Sequence, residues 1–189
     1  MDAQFGRLEG VIRTRAGYAG GTTPNPTYYD LGDHSEAVQV DYDPQRISYT
    51  DLAKFFWQSH ACASQSFSPQ YQNILFFSTA EEERIALATG DERAAELGVS
   101  VLTRIKPLTA FYRAEDYHQK YYLRSEPALR NYYLGIYPDA QAFVDSTATM
   151  RVNSYLAGHG TRAGLEAEAA QLGLAGPALD RLREVVGRR

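Results

Sequence analysis

The chain has 189 residues, 44% of them hydrophobic, which is enough for one well-buried core with a small addition and too few for several large domains. Its 19 basic and 23 acidic residues give a formal charge of −4 and are mixed along the sequence, leaving neither a basic stripe for nucleic acid nor an acidic tail. No apolar run reaches the roughly 18 residues that read as a membrane span, and the start MDAQFGRLEG is too polar for a signal peptide, so the protein is read as cytoplasmic, with no membrane partner.

The first residues, Met1–Leu8, read as the later part of a helix with Phe5 and Leu8 on one side, ending near Gly10. Val11–Tyr18 alternates apolar or small residues with charged ones and predicts a half-exposed strand. A second strand is predicted over Ala37–Tyr42, stopped by Asp43-Pro44. Ser48 or Thr50 can cap the helix that follows, whose apolar face is Leu52, Phe55, Phe56 and Trp57. After the polar loop His60–Gln72, the apolar run Asn73–Ser78 predicts a strand buried on both faces. Ser78 or Thr79 then caps a helix opening on Glu81-Glu82-Glu83, with a break expected at Gly90 and a stop at Gly98. Val99–Ile105 alternates as a strand that Pro107 closes.

Beyond these, Ala114–Tyr122 reads as a short helix, Ala128–Pro138 as irregular and Ala140–Gly158 as one helix. Leu165–Leu172 and Pro177–Val186 read as two short amphipathic helices. The order of elements argues for an α+β fold, a mixed β-sheet sandwiched by helices, with a C-terminal helical appendage. A boundary is expected at the Gly158-His159-Gly160 turn, giving a domain over 1–157 and an appendage over 158–189.

Cys62 is the sole cysteine, which excludes an intrachain disulfide and any CxxC pair. His34, His60, His118 and His159 lie far apart without ligand spacing, so no metal site is expected. Tyrosine is enriched, at 14 residues, and most of these rings are expected to pack with the hydroxyl at water.

The densest stretch is Gly17–Pro44. Its glycines reach backbone angles closed to other residues, and Pro24 and Pro26 fix their own φ, a composition suited to a loop that holds one shape. That loop presents Tyr28, Tyr29, His34 and Glu36 just before the second strand. Among tyrosines and apolar strand residues, the Glu36 carboxyl would resist ionisation and serve as a proton donor; by spacing alone it reads equally well as a solvated strand-end acid.

GYAGGTTPNPTY (17–28) followed by HSEAVQVDYDP (34–44) resembles the peptide-methionine (S)-S-oxide reductases, the methionine sulfoxide reductase A family. ISYTDLAKFFWQSH (47–60), the Gln70-Tyr71 pair and AEDYHQKYYL (114–123) agree with it, and the resemblance covers about residues 3–156. It implies an oxidoreductase that reduces methionine (S)-sulfoxide, in proteins and as the free amino acid, for protein repair under oxidative stress. It implies Glu36 as the acid, Tyr28 and Tyr71 as hydroxyl donors to the sulfoxide oxygen, and Tyr29, Tyr117 and His118 as substrate-pocket residues. It further implies no bound cofactor, an external reductant such as thioredoxin or a dithiol, oxidised proteins or peptides as partners, and a monomer.

Two departures bear on chemistry. Family members carry GCFWG at the start of the first helix, and that sequence is absent from these 189 residues. The chain is therefore read as N-terminally incomplete, its thiol or selenol nucleophile lying in an upstream segment. The loop ASQSFSPQY (63–71) is short and has Ser66 where many members place an acid, which points to a short-loop branch. Cys62 sits in HACASQ with no Lys or Arg in the following ten residues to activate it; a resolving role and an inert loop thiol both stand open. The alternative to an enzyme is a catalytically dead module that binds oxidised methionine or peptides.

Overall fold

The computed structural model describes residues 1–188. In chain order the helices are α1 (Asp2–Phe5), α2 (Tyr49–Gln58), α3 (Ala80–Leu97), α4 (Tyr121–Arg124), α5 (Pro127–Ile136), α6 (Ala140–Asp145), α7 (Thr147–Leu156), α8 (Arg162–Glu168) and α9 (Gly176–Gly187). The strands are β1 (Val11–Ala19), β2 (Ser35–Tyr42), β3 (Ile74–Phe77), β4 (Arg104–Pro107) and β5 (Phe111–Arg113). The class is α+β as expected. The strands form two small sheets, one of order β2-β1-β5 and one pairing β3 with β4 in parallel.

Two compact units share the chain. The first gathers residues 1–16, 38–42 and 115–188. Its core sets Leu129 and Tyr133 of α5 with Phe143, Val144, Val152, Leu156 and, from the last helices, Leu165, Leu172 and Leu182. Residues 158–188 thus contribute to the same core as α5 to α7, and the Tyr133 hydroxyl donates to the Leu172 carbonyl at 2.7 Å. Lys120, wholly buried, takes a left-handed backbone with φ of 51° and donates to the Thr14 carbonyl at 2.5 Å and to Asp2 at 3.2 Å. That residue divides the expected Ala114–Tyr122 helix into a 3₁₀ turn over Asp116–His118 and α4.

Two other expectations change in this unit. Ala128–Pro138 is not irregular: Pro127 occupies the first turn of α5, where its missing N–H costs nothing, and the helix runs to Ile136. The single helix expected over Ala140–Gly158 is two, because Ser146 is extended (ψ of 128°) and caps α7 by accepting from the Thr149 amide.

The second unit holds residues 17–37 and 43–114. Ser48 caps α2 with a reciprocal capping box to Asp51, and Thr79 caps α3 through the Glu82 amide. α3 runs unbroken through Gly90, which the sequence marked as a break. A Cβ there would sit 3.1 Å from the Trp57 ring, so glycine serves the close approach of α2 and α3. Trp57, 1% exposed, fixes that contact by donating from Nε1 to Thr89 Oγ1 at 2.9 Å.

β3 is half-buried along its length, not buried on both faces. The strand expected over Val99–Ile105 begins only at Arg104 and includes Pro107 at its end. β5, which lacked a sequence signal, pairs antiparallel with the end of β1, Gly17 opposite Arg113 and Ala19 opposite Phe111.

Candidate functional site

The second unit brings together Tyr28, Glu36 and Tyr71, residues separated by up to 43 positions, through two braced loops. The first loop is held from inside by Asp33 and His34. Asp33 accepts from the Thr22 and Thr23 amides at 2.8 and 3.1 Å and from both threonine hydroxyls. These donors hold its carboxyl far below the usual carboxylate range, the Thr22 amide foremost. His34 is 1% exposed; its Nδ1 accepts the Gly21 amide at 3.2 Å, which places the ring proton on Nε2, donated to the Thr23 carbonyl at 2.8 Å. A Cβ at Gly21 would lie 2.7 Å from that ring. His34, which the sequence placed on the site lip, is spent on the loop.

Beyond Pro26 the chain reverses at Thr27 and Asp30, whose backbones exchange hydrogen bonds of 3.1 Å and leave Tyr28 and Tyr29 at the tip. Their rings meet edge to face at 5.5 Å. Tyr28 is half-buried and Tyr29 is 90% exposed.

The second loop is fixed by Gln65, whose side chain accepts the Asn73 amide at 2.7 Å and donates to the Asn73 carbonyl at 3.0 Å. Its turn, Pro69–Tyr71, is tied to the start of β2 by the Ser35 hydroxyl, which donates to the Pro69 carbonyl at 2.6 Å. Next to that bond, Gln70 Nε2 donates to Glu36 Oε1 at 2.8 Å. The Tyr71 phenol lies beside Tyr28 and is held above the ordinary value by lost hydration first, then by the Glu36 charge and Tyr28.

Glu36 is exposed, which corrects the expectation of a carboxyl packed among apolar residues: β2 begins at Ser35, and it is Ser35 that points inward. The arrangement still offers what a polar, weakly basic oxygen needs, two phenol hydroxyls and a carboxyl within one hydrogen-bonded cluster. Gln70 is the member that sequence reasoning did not assign, although the Gln70-Tyr71 pair was its signal.

Tyr117 and His118 belong to the first unit. Their rings lie 4.2 Å apart, and His118 lines an open cavity of about 240 Å³ with Asp2, Tyr121, Tyr122, Asn153 and His159. Cys62 is 2% exposed, in the second unit. The sequence around it shows no basic neighbour, but α3 brings one near: the Arg93 guanidinium, held above its ordinary value by Glu96 first, also feels the sulfur. His60 is held below its ordinary value by burial, with Nδ1 on the Phe56 carbonyl at 2.8 Å and Nε2 on Thr103 at 2.7 Å. Among the described residues, no three His, Cys, Asp or Glu side chains converge as metal ligands, and no helix is long and apolar enough to cross a membrane.

Glycine loop, Tyr28, Glu36 and the Gln70-Tyr71 turn lie within residues 1–151, which match the family model for peptide methionine sulfoxide reductase; the chain belongs to that family. It is 40% identical over 162 residues to peptide methionine sulfoxide reductase A5 of Oryza sativa subsp. japonica, covering 82% of this chain and 63% of the relative. A Drosophila melanogaster peptide methionine sulfoxide reductase is 35% identical over 178 residues, 92% of this chain and 70% of its own. The reduced form of Mxr1 from Saccharomyces cerevisiae superposes with a TM-score of 0.58 at 26% identity, over 63% of this chain and 74% of that one. The chain spans 53% to 63% of the length of the two plant A5 relatives.

Proposed function

We propose that residues 1–189 carry the oxygen-binding and acid side of a peptide-methionine (S)-S-oxide reductase. The carrying observation is the cluster in which Glu36 is held by Gln70 at 2.8 Å while Tyr71, the next residue, lies beside Tyr28 and within the field of Glu36. Tyr28 and Tyr71 donate to the sulfoxide oxygen as neutral phenols, which stabilises the charge that grows there as the S–O bond weakens. Glu36 supplies the proton that the sulfoxide oxygen takes up as the S–O bond weakens. A thiolate or selenolate attacks the sulfur and takes over the oxygen as a sulfenic or selenenic acid, releasing methionine, and an external dithiol such as thioredoxin reduces that acid, becoming a disulfide while the oxygen leaves as water. Tyr29 contributes to substrate binding on the second unit, and Tyr117 and His118 are proposed as substrate-binding residues of the first. The substrates are oxidised proteins, peptides and free methionine S-oxide in the cytoplasm; the protein acts in repair as a monomer without a bound cofactor.

The nucleophile is assigned to a segment outside residues 1–189, because Cys62 is buried. A resolving role for Cys62 is opposed by its 2% exposure. The family module is assigned to 1–157, in keeping with the matched span of 1–151, and 158–189 to an addition. The test is single-turnover reduction of an S-epimer peptide by the chain extended with a GCFWG-containing segment. Reduction that needs both the extension and Glu36 is expected; no reduction by the extended chain would defeat the enzyme reading.

The buried state of the sole thiol also favours a second reading, in which residues 1–189 alone act as an oxidised-methionine binding module. Saturable binding of the S-epimer peptide without turnover is its signature.

A further inference from the structure

Each of the two loops that bring Tyr28 and Tyr71 together holds a second aromatic ring that the fold does not use. On the first, Tyr29 is 90% exposed beside Tyr28. On the second, Phe67 is fully exposed, at 104% of its reference area, four residues before Tyr71. A Phe left in water gains nothing for stability. The backbone that carries Phe67 is pinned on both sides. The Ser66 amide donates to Gln65 Oε1 at 3.0 Å, the Ser68 amide to Ser66 Oγ at 3.1 Å, and Ser35 holds the Pro69 carbonyl at 2.6 Å. Tyr29 is likewise held by the Thr27–Asp30 reversal.

An exposed aromatic ring on a braced backbone has less freedom to lose on binding than one on an unbraced loop, which suits an interface anchor. The geometry points to Phe67 and Tyr29 as specificity-determining residues that take apolar side chains flanking the methionine S-oxide in an extended peptide. The substrate class is thus peptide segments that a native fold buries and that become reachable when it opens. This rests on the reading of Tyr28, Glu36 and Tyr71 as the S-oxide site, with the two rings supplying affinity that the sulfoxide itself does not.

The test is calorimetric titration of the full chain with four capped pentapeptides, having leucine or serine on both sides of the central residue, which is either methionine or its S-epimer oxide. Leucine flanks are expected to tighten binding roughly tenfold in both the oxidised and the reduced pair, the scale of one shared apolar contact. Phe67→Ser and Tyr29→Ser remove that gain while the preference for oxide over methionine persists; Phe67→Leu keeps most of it. Equal binding of leucine- and serine-flanked peptides, no binding of either, or a leucine gain that survives both serine variants overturns the proposal. A leucine gain without any preference for the oxide upholds the two rings and defeats the S-oxide reading instead, so the two failures are told apart.

Discussion

The Ser35 hydroxyl donates to the carbonyl of Pro69 at 2.6 Å, so the first residue of β2 clamps the turn that carries Gln70 and Tyr71. The side chain one step along the strand, Glu36, then meets Gln70 at 2.8 Å. Ser35→Ala removes this clamp and leaves the Pro69 carbonyl without its donor. Urea unfolding should show a loss of about 1–2 kcal/mol, the scale for a lost hydrogen bond with one partner left behind. Binding of the S-epimer peptide should weaken as well; unchanged binding would separate the clamp from the site.

Glu36→Gln keeps the shape and removes the transferable proton. In the extended chain, single-turnover reduction should slow about 10²–10⁴-fold while peptide affinity changes little. Tyr28→Phe and Tyr71→Phe should each cost less. The double variant should lose less than the sum of the two, because neighbouring hydroxyls that act on one oxygen are coupled. Equal rates for wild type and Glu36→Gln return that residue to a strand-end carboxylate.

Gly90→Leu places a side chain where even a Cβ lies 3.1 Å from Trp57, a ring held by Thr89 and unable to retreat. The better helix propensity, worth up to about 1 kcal/mol, is outweighed by overpacking of about 1–3 kcal/mol or more. A lowered thermal midpoint is expected; a raised one would mean that α2 and α3 separate freely.

Asp33 gives a pH dependence with a definite sign. Its folded carboxyl is depressed, so its contribution to stability is complete above the ordinary carboxylate value of roughly 3.9 and is lost as pH falls below it. The midpoint difference between wild type and Asp33→Asn should be constant from pH 5 upward and shrink only at lower pH, starting about one unit below that limit. A difference that vanishes already near neutrality would contradict the four-donor cage.

Cys62 should resist alkylation in the folded chain. At 2% exposure the sulfur reacts through local opening, so iodoacetamide labelling should be slowed at least tenfold relative to the urea-unfolded protein. Rapid labelling of the native chain would revive its candidacy as a resolving thiol.

Local chemistry was legible where cause and effect are close in sequence. The Ser48 cap with Asp51 three residues on, the Thr79 cap and the Gly98 stop all follow from neighbours, and the resemblance grouped Tyr28, Glu36 and Tyr71 across two loops. What depends on distant partners was not legible. α5 looked irregular because its aromatic face has meaning only when Tyr133 meets Leu172, 39 residues later. β5 has three residues and owes its existence to β1. Gly90 read as a helix breaker because the ring that requires it, Trp57, lies on another helix. At the site, the resemblance suggested an acid in an apolar pocket, whereas the inward-facing position at the start of β2 is Ser35.

The division of the chain has a consequence for the order in which it is made. A ribosome delivers residues 1–16 well before residues 115–188, which complete their unit, and Leu182 is among its innermost side chains. The intervening unit, 17–37 and 43–114, is delivered whole long before that. During synthesis residues 1–16 must therefore wait, with Phe5 and Val11 uncovered, while 17–37 and 43–114 fold ahead of them. Nascent protein halted between residues 114 and 182 should accordingly engage chaperones through residues 1–16.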